Sequence, residues 1–355
     1  MTEPPRKGRG ASNNPANRYA STVTVPLDDG WGTLDEPATP LRTTVTPEVT
    51  RSIITTNDSP DVPFNRSINP YKGCEHGCIY CFARPTHAYL DLSPGLDFES
   101  RIFSKPDAAR VLREQLRHER YAPEVIAIGA NTDPYQPAER DLEITRRVLE
   151  VFREFRHPVS IVTKSNLVLR DIDLLSELAA DNLANVLVSI TTLDRELARR
   201  MEPRAATPER RLETIRHLHG AGVPVGVLAS PMIPAINDGE LEAILEASAS
   251  AGARSAGYIL VRLPLEIKQM FDSWLDEHYP LKKQRVLHLI RDARGGKLYD
   301  SQWGTRMRGT GPYADLLRRR FEVASKRLGL DGRLPPLDAS KFRVPPRPGD
   351  QLSLL

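Results

Sequence analysis

Apolar residues in this chain occur in short near-continuous runs, separated by longer stretches where they recur every three or four positions. The runs are Val125–Gly129, Val159–Thr163, Val186–Ile190, Val223–Leu228 and Gly257–Val261. Near-continuous apolar runs of this length suit strands buried on both faces, and the intervening spacing suits amphipathic helices. The helical stripes include Ala108, Leu112 and Leu116; Val148, Phe152 and Phe155; Leu174, Leu175 and Leu178; Leu212, Ile215 and Leu218; and Leu241, Ile244 and Leu245. Ser104-Lys-Pro-Asp predicts the start of the first helix, with a capping serine and an early proline, and Thr207-Pro208 predicts another start. Strand alternating with helix predicts a parallel sheet covered by helices. Counting the segment from Arg66, there are six β/α units within a core of residues 51–263. Periodicity alone leaves an open doubly wound sheet and a barrel as alternatives.

The pattern fails at both ends. Residues 1–50 hold seven prolines and many Ser, Thr, Gly and Asn, so they read as a disordered or loosely draped arm, basic at Arg6, Lys7 and Arg9. Residues 264–333 read as a basic helical region, with Leu317, Phe321, Ala324 and Leu328 on one face and the run Arg318–Arg320 beginning on another. Residues 334–355 form a proline-rich tail. The formal net charge is only +3, yet Lys282–Arg327 holds 13 basic against 4 acidic residues, leaving 36 against 42 elsewhere. No apolar run is long enough to span a bilayer, and the first residues carry no apolar leader, so a cytoplasmic protein without membrane contact is expected.

All three cysteines, Cys74, Cys78 and Cys81, fall in the stretch 69–87 with spacing C-x3-C-x2-C. Three thiolates on one tight loop can converge on a metal centre. A structural zinc site wants four ligands, so a zinc reading needs His76 or His87 as well. A redox disulfide would leave one cysteine over, and disulfides are rare in reducing compartments. Iron–sulfur clusters take cysteine thiolates, commonly four. Three would leave one iron of a 4Fe–4S cluster without a protein ligand, free to bind something else.

This spacing, with Tyr80 before the last cysteine, resembles the radical S-adenosylmethionine superfamily. The resemblance implies an incomplete (β/α)6 TIM-type barrel whose chemistry sits at the carboxyl ends of the strands. It implies a 4Fe–4S cluster on Cys74, Cys78 and Cys81 whose open iron chelates the amino and carboxylate groups of S-adenosylmethionine. Reductive cleavage would then yield a 5′-deoxyadenosyl radical, with an electron donor such as flavodoxin or ferredoxin. Thr132-Asp133, Thr163-Lys164, Ser189-Ile190, Glu202-Pro203 and Arg211-Leu-Glu follow in an order similar to spore photoproduct lyase and its DNA-repair-photolyase-like relatives. The likeness spans roughly residues 66–260, and it implies cofactor contacts at Tyr80, Thr132, Lys164 and Ser189. Asp133, Glu139 and Arg211 are candidates for organising the cofactor or substrate end, with structural ion pairs as the alternative. Two departures stand out. Asn131 occupies the position where spore photoproduct lyase has a hydrogen-returning cysteine, and Phe82 replaces the tyrosine that follows its last cluster cysteine. Thymine-dimer repair is therefore not expected.

The basic region also contains Tyr299, Trp303 and Tyr313, and cations interleaved with aromatics suit nucleic acid. The last five residues, Gln351-Leu-Ser-Leu-Leu355, resemble a bacterial sliding-clamp-binding peptide. The expected function is thus radical chemistry on DNA or another nucleic acid, of repair or modification type and lyase-like. The alternatives are a radical enzyme acting on a protein or small molecule, and a non-catalytic clamp- or nucleic-acid-binding iron–sulfur protein.

Overall fold

The structure is a computed structural model that describes residues 8–20 and 41–346. Six parallel strands form the central sheet: β1 (Arg66–Ile68), β2 (Ile126–Ile128), β3 (Val159–Thr163), β4 (Ala184–Ser189), β5 (Val225–Met232) and β6 (Ala256–Leu260). They lie side by side in chain order, and an antiparallel strand, Ile54–Thr56, flanks β1. Helices α1 (Ala108–Leu116), α2 (Ile144–Glu154), α3 (Ile172–Ala180), α4 (Pro208–Gly220) and α5 (Leu241–Ala251) run between successive strands. This is the α/β arrangement of a partial TIM-type barrel. Among the described residues no pairing closes β6 onto the opposite edge. The apolar runs of β2 to β5 are buried because helices cover one side and strand side chains fill the other.

The expected start of α1 is corrected. Ser104 ends a strand, Arg101–Ser104, and the helix begins at Ala108 after Asp107, which makes no side-chain cap. Strand Arg101–Ser104 pairs on one side with Thr44–Pro47 and on the other with Tyr71–Lys72. That pairing made Ser104 a ladder residue rather than a cap. It also ties the segment after the arm to the start of the cysteine loop. The fourth apolar run is likewise longer than expected, continuing through Met232.

Beyond β6 come α6 (Ile267–His278), α7 (Lys283–Asp292) and α8 (Gly311–Arg327). Helix α8 buries Leu317, Phe321 and Ala324 in the main core, where Phe321 packs on Tyr258 of β6. Helices α6 and α7 build a second apolar cluster with Cys78, Ile79 and Tyr80 of the cysteine loop and with Ala11 of the arm. The segment after residue 334 returns to the amino end of the sheet, where Phe342 stacks on Phe155. Arg6, Lys7 and the peptide Gln351–Leu355 lie outside the described residues. No described helix is long and apolar enough to cross a membrane.

Candidate metal and cofactor site

The cysteine loop leaves the carboxyl end of β1 and spans the mouth of the sheet. Asn69 begins it, its side-chain oxygen accepting from the Asn131 amide at 3.0 Å. Gln136 clamps it by accepting from the Glu75 amide at 2.9 Å and donating to the Gly73 carbonyl at 3.1 Å. On the far side the Ile79 amide donates to Met201 at 3.0 Å. The loop is thus pinned to the segments following β2 and β4.

Beneath the loop lies Arg84, fully buried. Its Nε donates to the Cys78 carbonyl at 2.8 Å and Nη2 to that of Gly77 at 3.0 Å. Nη1 reaches the carbonyls of Pro94 and Gly95, and Glu99 accepts a further charged hydrogen bond. All five guanidinium donors are used, which is what burial of such a group demands.

Cys74 and Cys78 are buried and Cys81 is partly exposed, and all three are free thiols. Burial pushes the Cys78 thiol up to about 12 and the Cys74 thiol well above its ordinary range. Two thiols held neutral by burial become thiolates once a cationic metal binds them, so coordination relieves that penalty. Each histidine that a zinc site would recruit spends one ring nitrogen on a protein partner. His76 Nδ1 lies 3.3 Å from the Asp133 carboxylate, and His87 Nε2 lies 3.1 Å from the Arg101 carbonyl. Among the described residues, no three Cys, His, Asp or Glu side chains are disposed around a single ion. A cluster, in which each thiolate takes a different iron, has no such requirement. The donor set fits a 4Fe–4S cluster better than a mononuclear ion.

The four residues with an implied cofactor role all occupy this mouth. Lys164 follows β3, its amide donating to Asp133 at 2.7 Å and its Nζ lying 5.9 Å from the Tyr80 ring centroid. A compact cation beside the cysteines suits a ligand carboxylate. Thr132 and Ser189 spend their hydroxyl hydrogens on the carbonyls of Tyr71 and Ser230, at 2.9 and 3.1 Å. They can offer a ligand only lone pairs, which suits an ammonium or hydroxyl donor. The Tyr80 hydroxyl donates to Glu202, which also receives Thr191 Oγ1 at 2.5 Å and the Arg211 guanidinium. Burial would raise the Glu202 carboxyl, but Arg211 and Lys164 outweigh it and hold it at about 2. Burial likewise opposes ionisation of Asp133, yet His76 and the Lys164 and Tyr135 amides keep it at about 2.

Of the three organising candidates, Asp133 and Arg211 reach this site. Glu139 does not. Its carboxylate receives the Tyr71 hydroxyl, the amides of Ile144 and Thr145, and Arg170, and so serves the start of α2. Sequence reasoning missed Asn69, Arg84, Glu99 and Gln136 as supports of the loop. Arg84 sits six residues after Cys78, but nothing local marks its burial.

The basic region divides into a loop near the mouth, helix α7 in the apolar cluster of the cysteine loop, and helix α8 on the main core. Loop residue Met307 accepts from the Leu260 amide at 2.9 Å, and Arg294 donates to the carbonyls of Leu260 and Val261. This seats residues 294–309 on the carboxyl end of β6. Nearby, the Arg262 guanidinium lies 4.5 Å from the ring centroid of Phe82, which is exposed, as is Trp303. The expectation for α8 and its aromatics needs correcting. Arg320 is paired with Glu242 at 2.6 Å and Arg318 with Asp315 at 2.8 Å, while the Tyr313 hydroxyl donates to Asp238. Tyr313 is therefore taken up in packing rather than offered for stacking.

A family model described as the Radical SAM superfamily matches residues 68–247. Uncharacterized proteins of Mycobacterium tuberculosis and Mycobacterium bovis are 36% identical to this chain over 288 residues, covering 80% of it and 81% of their own length. One from Methanocaldococcus jannaschii is 28% identical over 213 residues, covering 60% of this chain and 76% of its own. Among solved structures, a spore photoproduct lyase variant with bound AdoMet and dinucleoside spore photoproduct superposes with a TM-score of 0.59. That match has 16% identity and covers 80% of this chain and 79% of the other, so the likeness is one of fold.

Proposed function

We infer the function from membership: the chain belongs to the radical SAM superfamily. It is a radical SAM enzyme, and the family and fold support cleavage of S-adenosylmethionine. In our reading Cys74, Cys78 and Cys81 hold a 4Fe–4S cluster, and Tyr80, Thr132, Lys164 and Ser189 hold the cofactor. When loaded, such a site supplies one-electron cleavage of S-adenosylmethionine to a 5′-deoxyadenosyl radical that removes a hydrogen atom from substrate. The chain's own residues bind, orient and exclude water. A small carrier of flavodoxin or ferredoxin type would supply the electron.

We further propose a nucleic-acid substrate and lyase-like, repair- or modification-type chemistry on a base. One observation carries this reading: the basic, aromatic loop 294–309 is seated on the end of β6, with Arg262 and exposed Phe82 beside Cys81. Cations beside exposed rings are what a single strand or an unstacked base requires. The structure of spore photoproduct lyase with bound AdoMet and dinucleoside spore photoproduct lends support by fold. Asn131 and Phe82 keep us from assigning the same reaction.

The test is anaerobic reconstitution and reduction with S-adenosylmethionine, assaying 5′-deoxyadenosine alongside single Cys→Ala variants. Formation that is lost in all three variants supports the enzyme; a loaded cluster that yields none leaves a binding protein. Oligonucleotide affinity that falls with salt and with Arg262→Gln or Trp303→Ala supports the substrate class. No affinity points instead to a protein or small molecule. A sliding-clamp contact through Gln351–Leu355 predicts clamp binding that is lost when these five residues are deleted.

A further inference from the structure

We propose that residues 9–18 are a clasp that fixes the cysteine loop from behind, so that thiol protection and metal retention depend on a segment outside the family match at 68–247. This rests on the reading of the loop as the cluster site. Glu99, which holds Arg84 under the loop, also accepts from the amides of Gly10 at 2.9 Å and Ala11 at 2.8 Å. Arg9 donates to the Glu99 carbonyl at 2.7 Å. One buried carboxylate therefore joins the arm to the guanidinium that carries the Gly77 and Cys78 carbonyls.

The fit is close. A side-chain carbon on Gly10 would lie 1.7 Å from the Gly77 carbonyl oxygen, a contact only glycine permits. Ala11 is buried against Ile79 and Met270. Further along, the Leu96 amide donates to Asn13 at 3.2 Å and Ser93 Oγ to Pro15 at 2.6 Å. Arg18 then bridges the Pro85 carbonyl and Glu266, at 3.1 Å each. These contacts fall on the loop, on the turns that follow it and at the start of α6, and Arg9 also ties the arm to the Leu41 carbonyl and Thr43 hydroxyl, at 2.8 and 3.0 Å. The arm behaves as part of the cluster-binding unit.

The test compares the full chain with Gly10→Ala and with a chain starting at residue 20. In Gly10→Ala, release of the arm is checked by tryptic cleavage after Arg9 and Arg18. The apo-proteins are alkylated with iodoacetamide, and labelling of each cysteine is timed by mass spectrometry. Reconstituted proteins are challenged with an iron chelator. Losing two charge-assisted hydrogen bonds should speed Cys74 and Cys78 labelling and iron loss by about tenfold or more, while a cooperative melt persists. Released arms with both rates within about twofold of the full chain would overturn the clasp, since tenfold corresponds to about 1.4 kcal/mol. So would loss of the melt altogether, because the proposal confines the effect to the loop. A full chain that takes up no iron would refute the cluster reading alone, and the apo-labelling rates would still decide the clasp.

Discussion

Two buried arginine–glutamate pairs flank the cysteine loop, Arg84–Glu99 beneath it and Arg211–Glu202 on the barrel side. Both are almost wholly enclosed. Their partners differ. Arg84 gives its remaining hydrogen bonds to backbone carbonyls of the loop and the following turns, and Glu99 gives its spare capacity to arm amides. Glu202 instead faces functional groups, the Tyr80 and Thr191 hydroxyls, and Lys164 adds its charge. Arg211 ties that pair to the end of β4 through the Ser189 carbonyl at 3.0 Å. A pair saturated by main chain sets a shape. A pair whose carboxylate meets side chains sets a field where a ligand would lie.

The largest break of this comparison is Glu99→Ala. It strands a buried guanidinium, so the apo-protein should lose about 3–5 kcal/mol in urea unfolding, and iron content should fall. Glu202→Gln should act differently. It keeps the size and the Tyr80 contact but removes the charge that opposes Arg211. Loaded iron should be unchanged, while 5′-deoxyadenosine formation falls about tenfold to a hundredfold, the worth of a charged hydrogen bond. Equal iron loss in both variants would erase the distinction. Lys164→Met should have a smaller effect, raising KM for S-adenosylmethionine about tenfold with little change in kcat, as expected for loss of one charge-assisted contact.

The contrast also explains what was legible in the sequence. Five of the six strands were readable because burial favours near-continuous apolar runs such as Val159–Thr163, whereas β1 carries no such run and was counted from its place ahead of the cysteine loop. The cysteines were readable because their chemistry is local. Ser104 misled because cap and ladder residues look alike until Thr44–Pro47 is paired beside it. Arg84, Glu99 and the arm were hidden, since a charged pair 15 residues apart carries no period, and its third partner, Gly10, lies 89 residues from Glu99. The basic run erred in the other direction. Composition counts arginines but does not show that Glu242, from α5, already meets Arg320. Local patterns therefore reported the sheet and the metal loop, and long-range charge pairing decided the rest.

The smallest expected effect is a control at the opposite end of the strands. His157 precedes β3, with Nδ1 3.0 Å from the Pro158 carbonyl and Nε2 2.7 Å from the Tyr121 hydroxyl. Burial, helped by Arg66, lowers its folded pKa from 6.5 to about 4. The folded state thus refuses a proton that the unfolded chain accepts, so stability is lost as pH falls from about 6.5 towards 4 and is flat below. His87, lowered by burial to about the same value, adds an equal slope. Depressed carboxylates such as Glu202, at about 2, act only below their unfolded value of 4.5. Between pH 7 and 6 each histidine should therefore cost about 0.7 kcal/mol. His157→Gln should remove its share, about 0.7 kcal/mol, of the stability change between pH 7 and 6 and leave iron content and chelator resistance untouched. A slope unchanged by the substitution would place the titration elsewhere. A change in iron retention would mean that the amino end of the barrel reaches the loop, and the division of labour between its two ends would fall.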